Sequence, residues 1–403
     1  MMPVLHELDQ QEPDRVALRL SGENPVVAAR PAPPEPAIGH LADLSTLDLG
    51  AGADNLLFGC MSARPGDRLL LVREDSRHGF YDCMAPAFVA DRARIQRLDV
   101  IEVEADPPDV DRDLPADIVR LLQDVDHALF FARIGDQLRF DIMPGQCTKT
   151  ISYAFDAACL GSGYGTMPYA MMLELKAHID ARLAGAGEIR ITCPLGTELV
   201  GVPHGMTANP SEGEVTIRRF PLNVFKPVPA IGFSGRVALA RWLVGTGSRC
   251  YQPYELRLDG IAFALLEHGR IVDFEGPKDV VAKIRQHHQT VGELFSIDPL
   301  AVHSWHAGIH PHTVYPLPAT HNLARWAGLA FGSPRFLHFH VCGDTPPGEI
   351  SWTVIDPSIT IDGARAWDRG RLALIDSQAA GAIIARYGLS RSTFDRPSAE
   401  IGV

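Results

Sequence analysis

The sequence predicts an α/β protein in two folded parts: an N-terminal Rossmann-like domain built on a parallel sheet, and a larger, β-rich α+β C-terminal domain. Three observations predict it. Over 39–160, short β-rich runs alternate with amphipathic stretches, and strands alternating with helices imply a parallel sheet with crossover helices. From 188 onward, strand-like runs follow one another with one clear helix among them. The length of 403 residues, at roughly 100–200 per domain, suggests two domains.

The elements follow in order. Residues 1–38 include Arg-Pro-Ala-Pro-Pro-Glu-Pro at 30–36, and prolines without amide hydrogens predict an extended arm. The first domain, 39–160, takes strands at 68–73, 99–105 and 128–135, with helices at 80–95 and 116–123 between them. It lacks a Gly-x-Gly-x-x-Gly fingerprint, so no nucleotide is assigned. After the glycine-rich 161–165, apolar residues at helical spacing predict a helix over 167–183, ended by Gly185 and Gly187. Strands are expected at 188–193, 214–220, 235–244, 254–276, 335–341 and 349–363, and a helix at 277–288.

Composition narrows the function. With 37 basic and 49 acidic residues the chain carries a formal charge of −12 and no basic cluster, so a nucleic-acid backbone would meet repulsion. No apolar run approaches the ~20 residues of a membrane helix, and residues 1–23 lack the pattern of a signal peptide; a cytoplasmic protein acting on a small molecule is expected. The seven cysteines are scattered singly, with no Cys-x-x-Cys, which argues against a disulfide framework or a thiolate zinc site.

The histidines point to chemistry. Nine of the sixteen fall between His287 and His340. His338 and His340 stand as His-x-His in a predicted strand, and the two-residue period of a strand puts both rings on one face. Neutral imidazole is a common metal ligand, and a third ring would complete an open, catalytic set. His306 is the first candidate and His303 the alternative. His287 and His288 are read as the exposed end of a helix, and His310 and His312 as turn residues beside a proline. His204, in a loop after a predicted strand, is read either as an acid/base group or as a turn cap. Glu293 and Glu349, the acids nearest the cluster, could each orient an imidazole or be a solvated carboxylate, the second reading being favoured, and Trp305, Trp326 and Trp352 are read as core. Ser304 and Ser351 lack a nucleophile elbow, so nucleophilic catalysis finds little support.

Several segments together resemble the metallo-aminopeptidase family that includes aminopeptidase T and related leucyl aminopeptidases. They are Glu-Ile-Arg-Ile-Thr-Cys-Pro-Leu-Gly-Thr-Glu-Leu at 188–199, the Phe-Pro-Leu-Asn-Val-Phe-Lys-Pro run from Phe220, the Gly-Arg-Ile strand at 269–271 and the Asp-Gly hairpin at 362–363. The resemblance covers roughly the last 240 residues. It implies a C-terminal domain of the aminopeptidase T type and a homodimer. It also implies two metal ions held by glutamates, a histidine and a His-x-Asp pair, but here the first glutamate falls on Asn223 and the second in the acid-free stretch around His306. The pair falls on His338 and His340 or, in a second register, on Ser351 and Thr353. Without bridging carboxylates a two-metal hydrolase is not expected.

A branch of the same fold, the 2,5-dihydroxypyridine dioxygenases, is similar and implies one iron(II) on two histidines and an aspartate. The matching positions are His306 or His303, His338 and His340, the last in place of the aspartate. The expectation is therefore a mononuclear metal enzyme, first an iron(II) ring-cleaving dioxygenase acting on a small hydroxylated aromatic or heteroaromatic acid. Manganese and zinc are alternative metals. His204 is the candidate proton shuttle and Asn223 the candidate substrate contact. Two other expectations stand beside it: a single-metal hydrolase, and a non-catalytic peptide- or ligand-binding protein on a degenerate aminopeptidase fold.

Overall fold

The structure, a computed structural model, describes residues 47–107, 114–137, 139, 143–207, 217–245, 251–344, 348–395 and 397–403. The arm expected over 1–38 lies outside them, as does the 214–216 part of one expected strand. The described residues form a mixed α/β fold on three sheets.

The first sheet has five parallel strands in the order Asp99–Glu104, Arg68–Arg73, His127–Phe131, Thr148–Ser152 and Arg218–Phe220. Its central strands are continuous apolar runs: Leu69 to Val72 and Ala128 to Phe131 are fully buried, as expected where both faces are covered. The helix Met84–Ile95 buries Ala85, Val89, Ala90 and Ala93, one stripe at helical spacing. The fifth strand comes from far along the chain, so the sheet reaches well past residue 160.

The other two sheets are antiparallel. One has six strands, ordered Glu255–Arg257, Trp242–Gly245, Glu349–Ile355, Phe336–Cys342, Val302–Ala307 and Val228–Pro229. The other has seven and includes Ile189–Thr192, Glu198–Gly201, Phe233–Leu239 and the hairpin Ser358–Ile361 with Ala364–Trp367. The helix Tyr169–Ala184 buries Met171, Met172, Leu175, Ile179 and Leu183 along one face. No described helix is long and apolar enough to cross a membrane.

The helix expected at 277–288 runs as Lys278–Phe295, and this changes the reading of two histidines. His287 and His288 do not end an exposed helix; they lie on the buried stripe formed with Val280, Ile284 and Val291. The helix continues for almost two turns beyond them, so they sit in its middle, against the core. Leu323–Ala330 and Gln378–Arg386 are further helices that the sequence reading did not separate from the strands.

Candidate metal centre

Strand register builds the site. Three neighbouring strands of the six-stranded sheet pair His306 with His338, and His338 with Thr353; one step along, Ser304 pairs with His340 and His340 with Ser351. Because side chains alternate, all of these share one face. The intervening residues Trp305, Phe339 and Trp352 pair with one another on the opposite face, each with no exposed surface. Burying each of these large rings contributes about 1.5–3 kcal/mol, which fixes the register that brings the histidines together.

The two registers left open for the ligand pair are thus cross-strand neighbours. Ser351 and Thr353 lie directly opposite His340 and His338. His303 falls at the irregularity between Val302 and Ser304, where the regular pairing shifts, and its Nε2 lies 2.6 Å from the Cys342 carbonyl. It is not among the three histidines that converge.

Those three are His306, His338 and His340, all buried, with one ring nitrogen of each within 4.8 Å of the others. The tautomers follow from their partners. His306 Nδ1 donates to the Phe225 carbonyl at 3.0 Å, which leaves its Nε2 as a bare lone pair. With Glu349 ionised and accepting at His340 Nδ1, which it touches, His340 likewise turns a lone pair on Nε2 inward. These two Nε2 atoms are 3.0 Å apart, and His338 Nε2 is 2.6 Å from that of His306. His338 Nδ1 is buried with no hydrogen-bond partner. A single proton on His338 Nε2 can serve only one of the two facing lone pairs, whereas a cation among them meets all three. The donor set therefore fits one transition-metal ion, and imidazole donors suit zinc, copper, iron or nickel.

The protonation states agree with this. Burial pushes His306 down to about 3, and drives His338 and His340 well below the ordinary imidazole value. The positive charges of Arg139 and Arg219 act on all three rings in the same direction. Neutral imidazole, the form that ligates, is thus the resting form.

The three rings line a cleft of about 560 Å3, a volume in the range of small-molecule sites. Arg133, Tyr153 and Asn223, which follow the carboxyl ends of parallel strands, line it too, so it lies at the edge where open α/β sheets bind ligands. Phe331 stacks on His338, with ring centroids 4.4 Å apart and planes at 22°. Asn223 is buried and its Nδ2 donates to the Tyr164 hydroxyl at 2.9 Å, with Gly332 so close that a β-carbon there would meet the amide. His204 sits in an exposed turn beside Gly232 and is not among the residues lining the cleft. His310, read as a turn residue, is fully buried and packs edge-on to Tyr164.

Glu349 was read as solvated. It is 1% exposed and shares the site face with Ser351 and Thr353. The period-two spacing 349, 351, 353 carried this signal, but only together with the pairing to the histidine strand. Glu293 is exposed, as expected.

Among solved structures, the fold is similar to that of a 2,5-dihydroxypyridine dioxygenase from Pseudomonas putida KT2440. The TM-score is 0.51 at 11% identity, over 82% of this chain and 97% of that one. AmpT from Thermus thermophilus aligns with a TM-score of 0.45 at 14% identity, over 80% of this chain and 98% of that one. No protein-family model matches the chain, and no curated protein matches it. At these identities the likeness is one of fold.

Proposed function

We propose that this protein is a mononuclear metal-dependent enzyme, with the ion held by His306, His338 and His340, and that it is an iron(II) ring-cleaving dioxygenase of small hydroxylated aromatic or heteroaromatic acids. The observation that carries the proposal is the convergence of three buried imidazoles whose ring nitrogens face one another, a set that one proton among them cannot satisfy. The fold likeness to a dioxygenase is consistent with it.

When bound, iron(II) supplies one-electron and dioxygen chemistry that side chains lack. The chain supplies the rest. The three imidazoles line the cleft, so an ion held by them would be reachable from it. The Phe225 carbonyl and the Glu349 carboxylate fix two of the rings. Phe80, Tyr81, Phe155 and Phe331 give the cleft aromatic walls suited to a planar ring, and six lysines and arginines against Asp136, Asp180 and Asp344 leave its lining net positive, which favours an acid. Asn223, anchored on Tyr164, is a contact for the substrate's polar edge.

A second reading has support in the same donor set, since three imidazoles also hold zinc in sites that activate water for hydrolysis. Oxygen separates the two. The iron(II)-loaded protein should consume dioxygen in step with loss of a hydroxylated aromatic acid such as 2,5-dihydroxybenzoate, and stop under nitrogen. Turnover at equal rates with and without dioxygen would favour the hydrolase.

A further inference from the structure

The candidate site holds one acid that the three donors do not account for. Glu349 is 1% exposed, and His340 Nδ1 is the group its carboxylate touches. No hydrogen bond from any other described group reaches either carboxylate oxygen. Its main chain is fixed independently: the residue pairs with Cys342 in the sheet, and its carbonyl accepts from the Tyr251 hydroxyl at 2.9 Å. Strand geometry, not the ion pair, therefore sets where the side chain sits, diagonal to His340 on the histidine face.

A carboxylate removed from water costs several kcal/mol unless a cation offsets it. Here the carboxylate touches His340 Nδ1, and the same ring turns its Nε2 toward the converging nitrogens. Ligands of the 2-His-1-carboxylate type place the negative charge on the ion itself. In this protein the three donors are imidazoles, and the carboxyl group stands one ring further out.

We propose that Glu349 is the positioning residue and counter-charge of the metal centre, holding His340 in the tautomer that ligates and giving a three-imidazole set the charge balance of a carboxylate-containing one. The proposal rests on the metal-site reading above and adds to it a residue that contacts no ion. It explains why a buried acid is kept beside a donor set that has none. Partners that orient a metal-bound histidine typically alter metal affinity 10–100-fold when replaced.

The test uses the full chain and cobalt(II), whose visible spectrum reports the ligand field, with affinities measured by competition against a chromophoric chelator. Glu349→Gln keeps the shape and an acceptor but loses the charge. It should bind cobalt(II) 10–100-fold more weakly than the wild type, with a displaced visible band. Glu349→Asp keeps the charge on a shorter stem and should fall between the two; it also serves as the informative variant if Glu349→Gln does not fold. Affinity within twofold of wild type and a superimposable spectrum in the folded variant would overturn the proposal and leave Glu349 a structural residue. If the wild type itself takes up no cobalt(II), zinc(II) or iron(II), the metal-site reading fails first, and this inference with it.

Discussion

Two groups of buried histidines can be compared in this molecule. His287 and His288 lie on the helix Lys278–Phe295, and His306, His338 and His340 on one face of the six-stranded sheet. Burial alone does not distinguish them: it pushes the first two down to about 4 and His306 down to about 3. What differs is where the lone pairs go. His288 Nδ1 donates to the Pro299 carbonyl at 2.8 Å, and its Nε2 accepts from Trp352 Nε1 at 3.2 Å, so the ring is satisfied within the fold. His287 has partners on neither nitrogen among the described residues, yet no second ring turns a lone pair toward it. Among the described residues, only the sheet histidines converge as a set of three. A depressed pKa therefore marks a buried imidazole, and convergence marks a candidate ligand.

The comparison breaks most visibly at the sheet. A His338→Ala/His340→Ala double variant should lose stoichiometric metal binding, falling below about a tenth of an equivalent by elemental analysis after metal loading, because one imidazole cannot hold the ion. The matching change on the helix should do the reverse. His288→Ala leaves Trp352 Nε1 and the Pro299 carbonyl without their shared partner and opens a cavity, so a loss of about 2–4 kcal/mol is expected in denaturant unfolding, with metal stoichiometry unchanged in the folded protein.

The smallest effect concerns acid. His287 and His288 have native pKa values below the unfolded value near 6.5, so the unfolded chain binds protons that the native one refuses. Their stabilising contribution is full above about pH 6.5 and is lost as the pH falls toward about 4. His287→Phe removes one such group without breaking a described hydrogen bond. Its stability loss between pH 7 and pH 5 should be smaller than the wild type's by roughly 2 kcal/mol, read from unfolding curves at the two pH values.

Much of the site was legible in the sequence for a specific reason. His338 and His340 share a face because strands alternate, and that needs no knowledge of the partner strand. His306 was named first, but its pairing with His338 is a tertiary fact set by the Trp305, Phe339 and Trp352 face. The place of Glu349 is not legible because nine residues of sequence hide a return of the chain: the strand Glu349–Ile355 folds back on Phe336–Cys342 and brings the acid diagonal to His340. His287 and His288 were misjudged because the reading stopped the helix at them, whereas the buried stripe continues to Val291. In the parallel sheet, the strands up to Phe131 follow local periodicity, but the fifth, Arg218–Phe220, arrives across about seventy residues and could not be placed by pattern alone.

The most direct test of the metal centre is X-ray absorption of the full chain loaded anaerobically with iron(II). One ion per chain is predicted, with about three imidazole nitrogens at roughly 2.0–2.2 Å, a shell that disappears in the His338→Ala/His340→Ala variant. An ion whose shell is the same in that variant, or no bound ion at all, would contradict the account.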